Sequence, residues 1–250
     1  MCRLLVLLIW LLSAARAPAA PLRIYGMESK PVSHIVDGRP AGFAVELAQA
    51  IQQRLDRHDP IEILPWARAN TLAVSEPNVM LLSIVRTPER ARHMQFVGPI
   101  FTTQVAAFAA RGRLEELRRK DPDMRRLRAG ARRGSVFVSL PRSLGYNVTD
   151  ETNTSETGAR MLLSRRFDLW FDGEELINGA LERAGRQPGD VELAFRLGNE
   201  LVYFAFSNGT PAQTVRAWAD ALRDMKRDGS FQTIHQKWLP AQAAPLDGAL

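Results

Sequence analysis

The stretch Val79-Met80-Leu81-Leu82-Ser83-Ile84-Val85-Arg86-Thr87-Pro88-Glu89-Arg90 decides how the chain is read. Its apolar run is broken by Ser83 and then gives way to two arginines around a Thr-Pro step. A near-continuous apolar run fits a parallel strand covered on both faces. Thr87 followed by Pro88 is a helix cap followed by a first residue whose φ is already set. The stretch therefore predicts a strand-to-helix corner, with Arg90 in the first helical turn. The positive end of a helix dipole disfavours a cation there, so the position points to an anion shared with the free N–H groups. A surface arginine paired with Glu89 or a neighbour is the other reading of the same residues.

On the N-terminal side, Leu22 to Gly26 reads as a short strand and Asp37-Gly38 as a turn. Phe43, Leu47, Ile51 and Leu55 recur every fourth residue and give a helix one apolar face. Ile61 to Leu64 supplies another strand, and Pro65-Trp66 turns into another helix. Strands alternating with helices imply a parallel or mixed sheet covered by helices. On the C-terminal side, Val105 to Ala110 is apolar, and Arg111 to Arg133 is densely basic. Acidic residues Glu115, Glu116, Asp121 and Asp123 interleave with those cations, and no aromatic residue offers a stacking platform. This is solvated helical charge and not a nucleic-acid surface. Further on, Ser155 to Leu163 looks helical, Arg166 to Phe171 and Leu201 to Phe206 read as strands, and two helical faces come after them. Val215, Trp218, Leu222 and Met225 mark the first face, and Phe231, Ile234 and Trp238 mark the second.

At the start of the chain, Arg3 precedes an apolar core from Leu4 to Leu12, too short to span a bilayer, and Ala17-Pro18-Ala19 offers a cleavage site. Residues 1–19 are therefore expected to be a cleaved secretory signal. The sole cysteine, Cys2, falls inside that signal on the wrong side of the core for lipid attachment. The mature chain would then have no disulfide and would rely on ordinary burial, for which 46% hydrophobic residues suffice. The net charge of +6 includes Arg3 and Arg16, so about +4 remains after cleavage. His34, His58, His93 and His235 lack metal-ligand spacing, and Gly134-Ser135 lacks the G-x-S-x-G elbow of serine hydrolases. No cofactor is implied. Carboxylates that meet only in a cleft need no spacing in sequence, so acid chemistry stays open.

The block S-I-V-R-T-P-E-R-A at 83–91 and Phe96-Val97-Gly98-Pro99-Ile100 resembles the family 3 extracellular solute-binding proteins, bacterial receptors that feed membrane transporters. Other blocks match in the same order: D-G-R-P-A-G-F-A-V-E-L-A-Q-A-I from Asp37, Gly134-Ser135, the strand ending at Asp172, and Asp228-Gly229 through Lys237-Trp238. The resemblance implies an α/β, two-lobe periplasmic-binding-protein fold of type II, each lobe a mixed sheet flanked by helices, with the ligand cleft between. It assigns residues 20–108 and 203–250 to the first lobe and 109–202 to the second.

By the same resemblance, Arg90 holds a ligand carboxylate, Ser83 and Val85 present backbone groups to the ligand's amine, and Gly134 and Ser135 form a second carboxylate contact. Asp172 is the nearest candidate to receive an ammonium, although it lies one residue before the family's place, which falls on Gly173. The family's aromatic clamp is replaced by Ser29-Lys30-Pro31-Val32. Glu28, Lys30 and Arg86 would bring charge to the pocket instead, unless they are simply exposed. Trp66 would restore some aromatic area, or belong to the lobe core. The implied partners are a small carboxylate-bearing solute, such as an amino acid, and the permease of an ABC transporter. The implied state is a monomer in the periplasm. Rare enzymes of the family dehydrate cyclohexadienyl acids in such a cleft, and other members act as sensory or orphan binders, so both remain as alternatives.

Overall fold

The computed structural model describes residues 21–246. The expected signal sequence lies outside the described residues. The strands are β1 (Arg23–Gly26), β2 (His34–Val36), β3 (Arg39–Ala41), β4 (Ile61–Ile63), β5 (Val79–Val85), β6 (Met94–Ala110), β7 (Ala129–Arg132), β8 (Val148–Thr152), β9 (Leu169–Gly173) and β10 (Val191–Ser207). The helices are α1 (Phe43–Arg54), α2 (Trp66–Ser75), α3 (Leu114–Lys120), α4 (Val136–Ser143), α5 (Ser155–Leu163), α6 (Ile177–Arg183), α7 (Ala212–Asp228) and α8 (Ser230–Trp238).

Eight strands are joined in the order β4-β1-β5-β10-β6-β9-β7-β8, and β2 pairs with β3 as a separate hairpin. One half of the sheet is parallel across β4, β1 and β5, and the other is parallel across β9, β7 and β8. Between them run β6 and β10, two antiparallel 17-residue strands paired from Met94–Ser207 to Ala110–Val191. Near one end β10 pairs with β5 through Val202, Tyr203, Ala205 and Phe206. Towards the other, β6 pairs with β9 through Val105 to Phe108. Each long strand thus takes a second neighbour over only part of its length, β10 taking β5 from Val202, opposite Phe101, and β6 taking β9 from Val105. The expected division after residue 108 falls within that pairing, because a single apolar strand gives no sequence mark where its neighbours change.

The helices form where the apolar spacing predicted them. On α1, Phe43, Leu47, Ala48 and Ile51 are fully buried, and the Phe43 ring meets Phe101 and Phe231 edge-on. On α7, Trp218 is wholly buried between Phe204 and Phe206 of β10. Gly229, in the left-handed region at φ 83°, ends that helix and starts α8. The other half has its own core, in which Trp170 packs beside Phe108, Leu162 and Leu181.

The corner after β5 differs from expectation. All seven residues of β5 are buried, as its apolar run requires. Thr87 does cap, its Oγ1 accepting from the Arg90 N–H at 3.2 Å. The chain then makes only a 3-10 turn at Arg90–Arg92, however, and β6 starts at Met94. Arg90 therefore has no helix dipole to oppose it, and its environment must be explained by the cleft.

Candidate functional site

The carboxyl ends of the parallel strands meet at one place, as expected for a ligand crevice in open α/β sheets. Met27 and Ser29 follow β1, Ser83, Ile84 and Val85 end β5, Arg132 ends β7, and Glu175 and Leu176 follow β9. With Trp66, Thr103 and the start of α4, they line one cavity between the halves. The cavity offers about 60 Å³ to the centres of water-sized molecules. One water needs roughly 10–15 Å³ by that measure, so the space holds a few waters or the polar head of a small solute.

Arg90 reaches across the cleft. Its Nη1 donates to the Val85 carbonyl at 2.9 Å and its Nη2 to the Gly134 carbonyl of the opposite half at 2.8 Å. The guanidinium lies 5.5 Å from the Trp66 ring centre, where the negative π face attracts it. Gly134 has φ +66°, and a Cβ there would approach Trp66 Nε1 to 3.2 Å, so glycine suits both the turn and the close approach of Trp66. Burial lowers the Arg90 pKa; Glu89 opposes that shift and Arg132 adds to it.

Arg132 makes the reciprocal crossing. It is 7% exposed, its Nη1 donates to Ser29 Oγ of the other half at 3.2 Å, and its guanidinium lies 5.5 Å from the Phe137 ring. Burial lowers its pKa, and the fields of Asp172 and Glu175 act against that. Its Nε has no hydrogen-bond partner, and neither Arg90 nor Arg132 forms an ion pair among the described residues. Both arginines thus keep unused N–H donors at the cavity.

Glu175 supplies the cavity's carboxyl group. Its Oε1 accepts from Thr103 Oγ1 at 2.6 Å, and its Oε2 is 3.3 Å from the Gln104 N–H. Burial pushes its pKa up to about 7 despite those hydrogen bonds. A Cβ built on Gly173 would fall 2.6 Å from Glu175 Oε1 and 2.7 Å from Thr103 Oγ1. The carboxylate that the resemblance looks for at position 173 is therefore reached by a side chain rooted two residues later.

Of the nine residues singled out in the sequence, Ser83, Val85, Arg90, Trp66 and Ser135 line the cavity, and Gly134 meets Arg90 through its carbonyl. The other three do not. Asp172 points away from the cleft with no exposed surface, because the alternation of β9 turns it inward; its Oδ1 accepts from the Gly173 N–H. Burial raises its pKa, while Arg132 and Ser155 pull the other way. Glu28 sits in a side crevice, paired with Arg183 at 3.2 Å. Lys30, outside those nine, pairs there with Glu182 at 2.7 Å. Arg86 is exposed, 5.8 Å from the Phe96 ring. Sequence reasoning missed Arg132, Glu175 and Thr103. Arg132 was hidden in a run of cations, although its place two residues before Gly134, at the end of a parallel strand, could have marked it.

Among the described residues no His, Cys, Asp and Glu group could hold a metal, and no helix is long and apolar enough to cross a membrane.

The family model for bacterial extracellular solute-binding proteins, family 3, matches residues 23–241. The chain belongs to that family. No curated protein matches this family 3 chain. Among solved structures it is similar to a histidine kinase sensor domain with similarity to periplasmic binding proteins, at 20% identity and TM-score 0.76, over 90% of this chain and 98% of that one. A periplasmic His/Glu/Gln/Arg/opine family-binding protein from Silicibacter pomeroyi, in complex with lysine, matches at 19% identity and TM-score 0.74, over 89% and 99%. The arginine-, lysine-, histidine-binding protein ArtJ from Geobacillus stearothermophilus matches at 14% identity and TM-score 0.74, over 89% and 96%. At these identities the likeness establishes the two-lobe fold of this family 3 protein.

Proposed function

We propose that this family 3 protein is a periplasmic receptor that closes its lobes on a small carboxylate-bearing solute, an amino acid or related compound, and presents it to an ABC-type permease. The observation that carries the reading is Arg90, a guanidinium at the cleft with carbonyl partners and no carboxylate. A planar fork of donors suits a carboxylate, and an anion there would remove the cost of a half-buried unpaired cation. The first turn of α4, at Val136 and Phe137, adds N–H groups on the far wall, whereas the Ser135 N–H is already donated to the Arg132 carbonyl. The hinge lies on the paired strands β6 and β10, between the stretch that β5 joins and the stretch that β9 joins, and domain closure about such a hinge is the behaviour of periplasmic binding proteins as a class. The relatives named above, solved with lysine or described as binding basic amino acids, support the class of ligand. The chain works as a monomer, without cofactor or nucleic acid, after removal of residues 1–19.

A thermal-shift screen of amino acids, organic acids and polyamines tests the reading. A true ligand at a hundred times its dissociation constant adds about 2.7 kcal/mol of stability. No stabilisation by any carboxylate would overturn it. Mass spectrometry of the exported protein should find a mature end at Ala20 or Pro21.

A second reading is favoured by Glu175. A carboxyl group with a pKa of about 7 beside a cleft has the poise of a general acid. The reaction would be an acid-assisted dehydration of a cyclohexadienyl acid such as prephenate, in which the Glu175 proton leaves with the ring hydroxyl as water and the ring carboxylate leaves as CO2. Incubation with prephenate should leave it unchanged; turnover lost in Glu175→Gln would transfer the assignment to an enzyme.

A further inference from the structure

Resting on the receptor reading, we infer that the solute carries two acidic groups, one for Arg90 and one for Arg132, and that Arg132 is the residue that selects it. The two guanidiniums enter the cavity from opposite lobes, Arg90 after β5 and Arg132 from the end of β7. Each spends donors on groups of the other lobe, and each retains donors that nothing else uses. Burying a charge is costly unless it is paired, and Arg132 is more than nine-tenths buried without an ion pair. Asp172 stands behind it and eases its burial by its field, yet forms no hydrogen bond or ion pair with it.

The aromatic faces of Trp66 and Phe137 back the two guanidiniums and hold their planes without competing for N–H groups. A ligand with one carboxylate would satisfy Arg90 and leave Arg132 buried and unpaired. A basic side chain would place a third cation against the first two. A second acidic group resolves both problems. Glu175 faces the same space, so a diacid bearing an amine would find a carboxylate for its ammonium, whereas an amine-free diacid would be met by the protonated form of Glu175.

The test is calorimetric titration of the exported chain with L-glutamate, L-aspartate, glutarate and succinate, against L-glutamine, L-lysine and L-arginine. At least one diacid should bind, and at least about tenfold more tightly than glutamine or either basic amino acid. Preference for L-glutamate and L-aspartate identifies the amine-bearing class, and preference for glutarate and succinate the amine-free class. In Arg132→Gln the advantage of the diacid over glutamine should vanish, and Arg132→Lys should keep part of it. If Arg132→Gln fails to fold, the Lys variant and the wild-type ranking still decide. Tighter binding of glutamine, lysine or arginine overturns the inference and leaves the receptor reading standing, provided that binding is lost in Arg90→Ala. Equal diacid preference in wild type and Arg132→Gln also overturns it. If none of the seven compounds binds, the inference falls; the broader thermal-shift screen then decides the fate of the receptor reading.

Discussion

Arg90 and Arg86 lie four residues apart, yet one faces the cleft and the other lies beside Phe96 in solvent. Arg90→Ala should weaken ligand binding by about 2–5 kcal/mol, roughly thirtyfold to several thousandfold, because the ligand's desolvated carboxylate loses its charged partner. Arg86→Ala should change affinity little, and calorimetry on both variants checks the contrast. Glu175 predicts a pH signature. The folded chain holds its proton up to about pH 7, whereas the ordinary carboxyl titrates near 4.5. Folding therefore takes up a proton between those values, and the stability that this group contributes falls as pH rises through that window, by on the order of 3 kcal/mol. The groups in its field are Asp172 and Arg132, with Thr103 and Gln104 as donors. Urea unfolding at pH 5 and pH 8 should show a smaller drop in Glu175→Gln than in wild type. Arg90, Ser83, Val85 and Ser135, which the resemblance singled out, do line the cavity, since they stand at or just after the end of β5 and at the start of α4. Arg132 and Glu175 were not picked out, since the only mark on Arg132 is its place two residues before Gly134 within a run of cations, and the reach of Glu175 back to the space beside Gly173 exists only in three dimensions.

At the level of elements, periodicity was a sound guide wherever one face is buried. The four-residue spacing of α1 and the apolar run of β5 derive directly from burial. The helix expected after Thr87-Pro88 did not form, since Met94 and the residues after it pair with β10, and a 17-residue strand outweighs the local preference of one cap. The strand β7 was hard to read because Ala129-Gly130-Ala131-Arg132 lacks β-branched residues. Its small side chains have a packing reason. A Cβ at Gly130 would fall 2.2 Å from Cε1 of Phe167. Gly130→Ala should therefore destabilise by about 1–3 kcal/mol, as overpacking does, and a lowered thermal midpoint would register it. Since β7 carries Arg132 at its end, the same substitution should also weaken ligand binding.

On the scale of the whole molecule, the lobes are drawn together by Lys30–Glu182 at 2.7 Å and Arg183–Glu28 at 3.2 Å, beside the two arginine crossings. Exposed pairs contribute only about 0–1 kcal/mol each, so on the proposed receptor reading these two would bias closure without locking it. Lys30→Glu sets like charges against each other, and scattering in the absence of ligand should report a larger radius of gyration than for wild type. The order β5-β10-β6 has a further consequence for the chain as it leaves the ribosome. β5 and β6 are complete by residue 110, but the strand that separates and joins them is made only from Val191 onward. Until then the nascent protein carries the apolar strand β5 and the 17-residue β6, each with a hydrogen-bonding edge that only β10 covers, the state most prone to stick to other chains. A polypeptide ending near residue 186 should accumulate as insoluble material, while one ending near residue 240 should stay in solution, which sedimentation of the two truncations would establish.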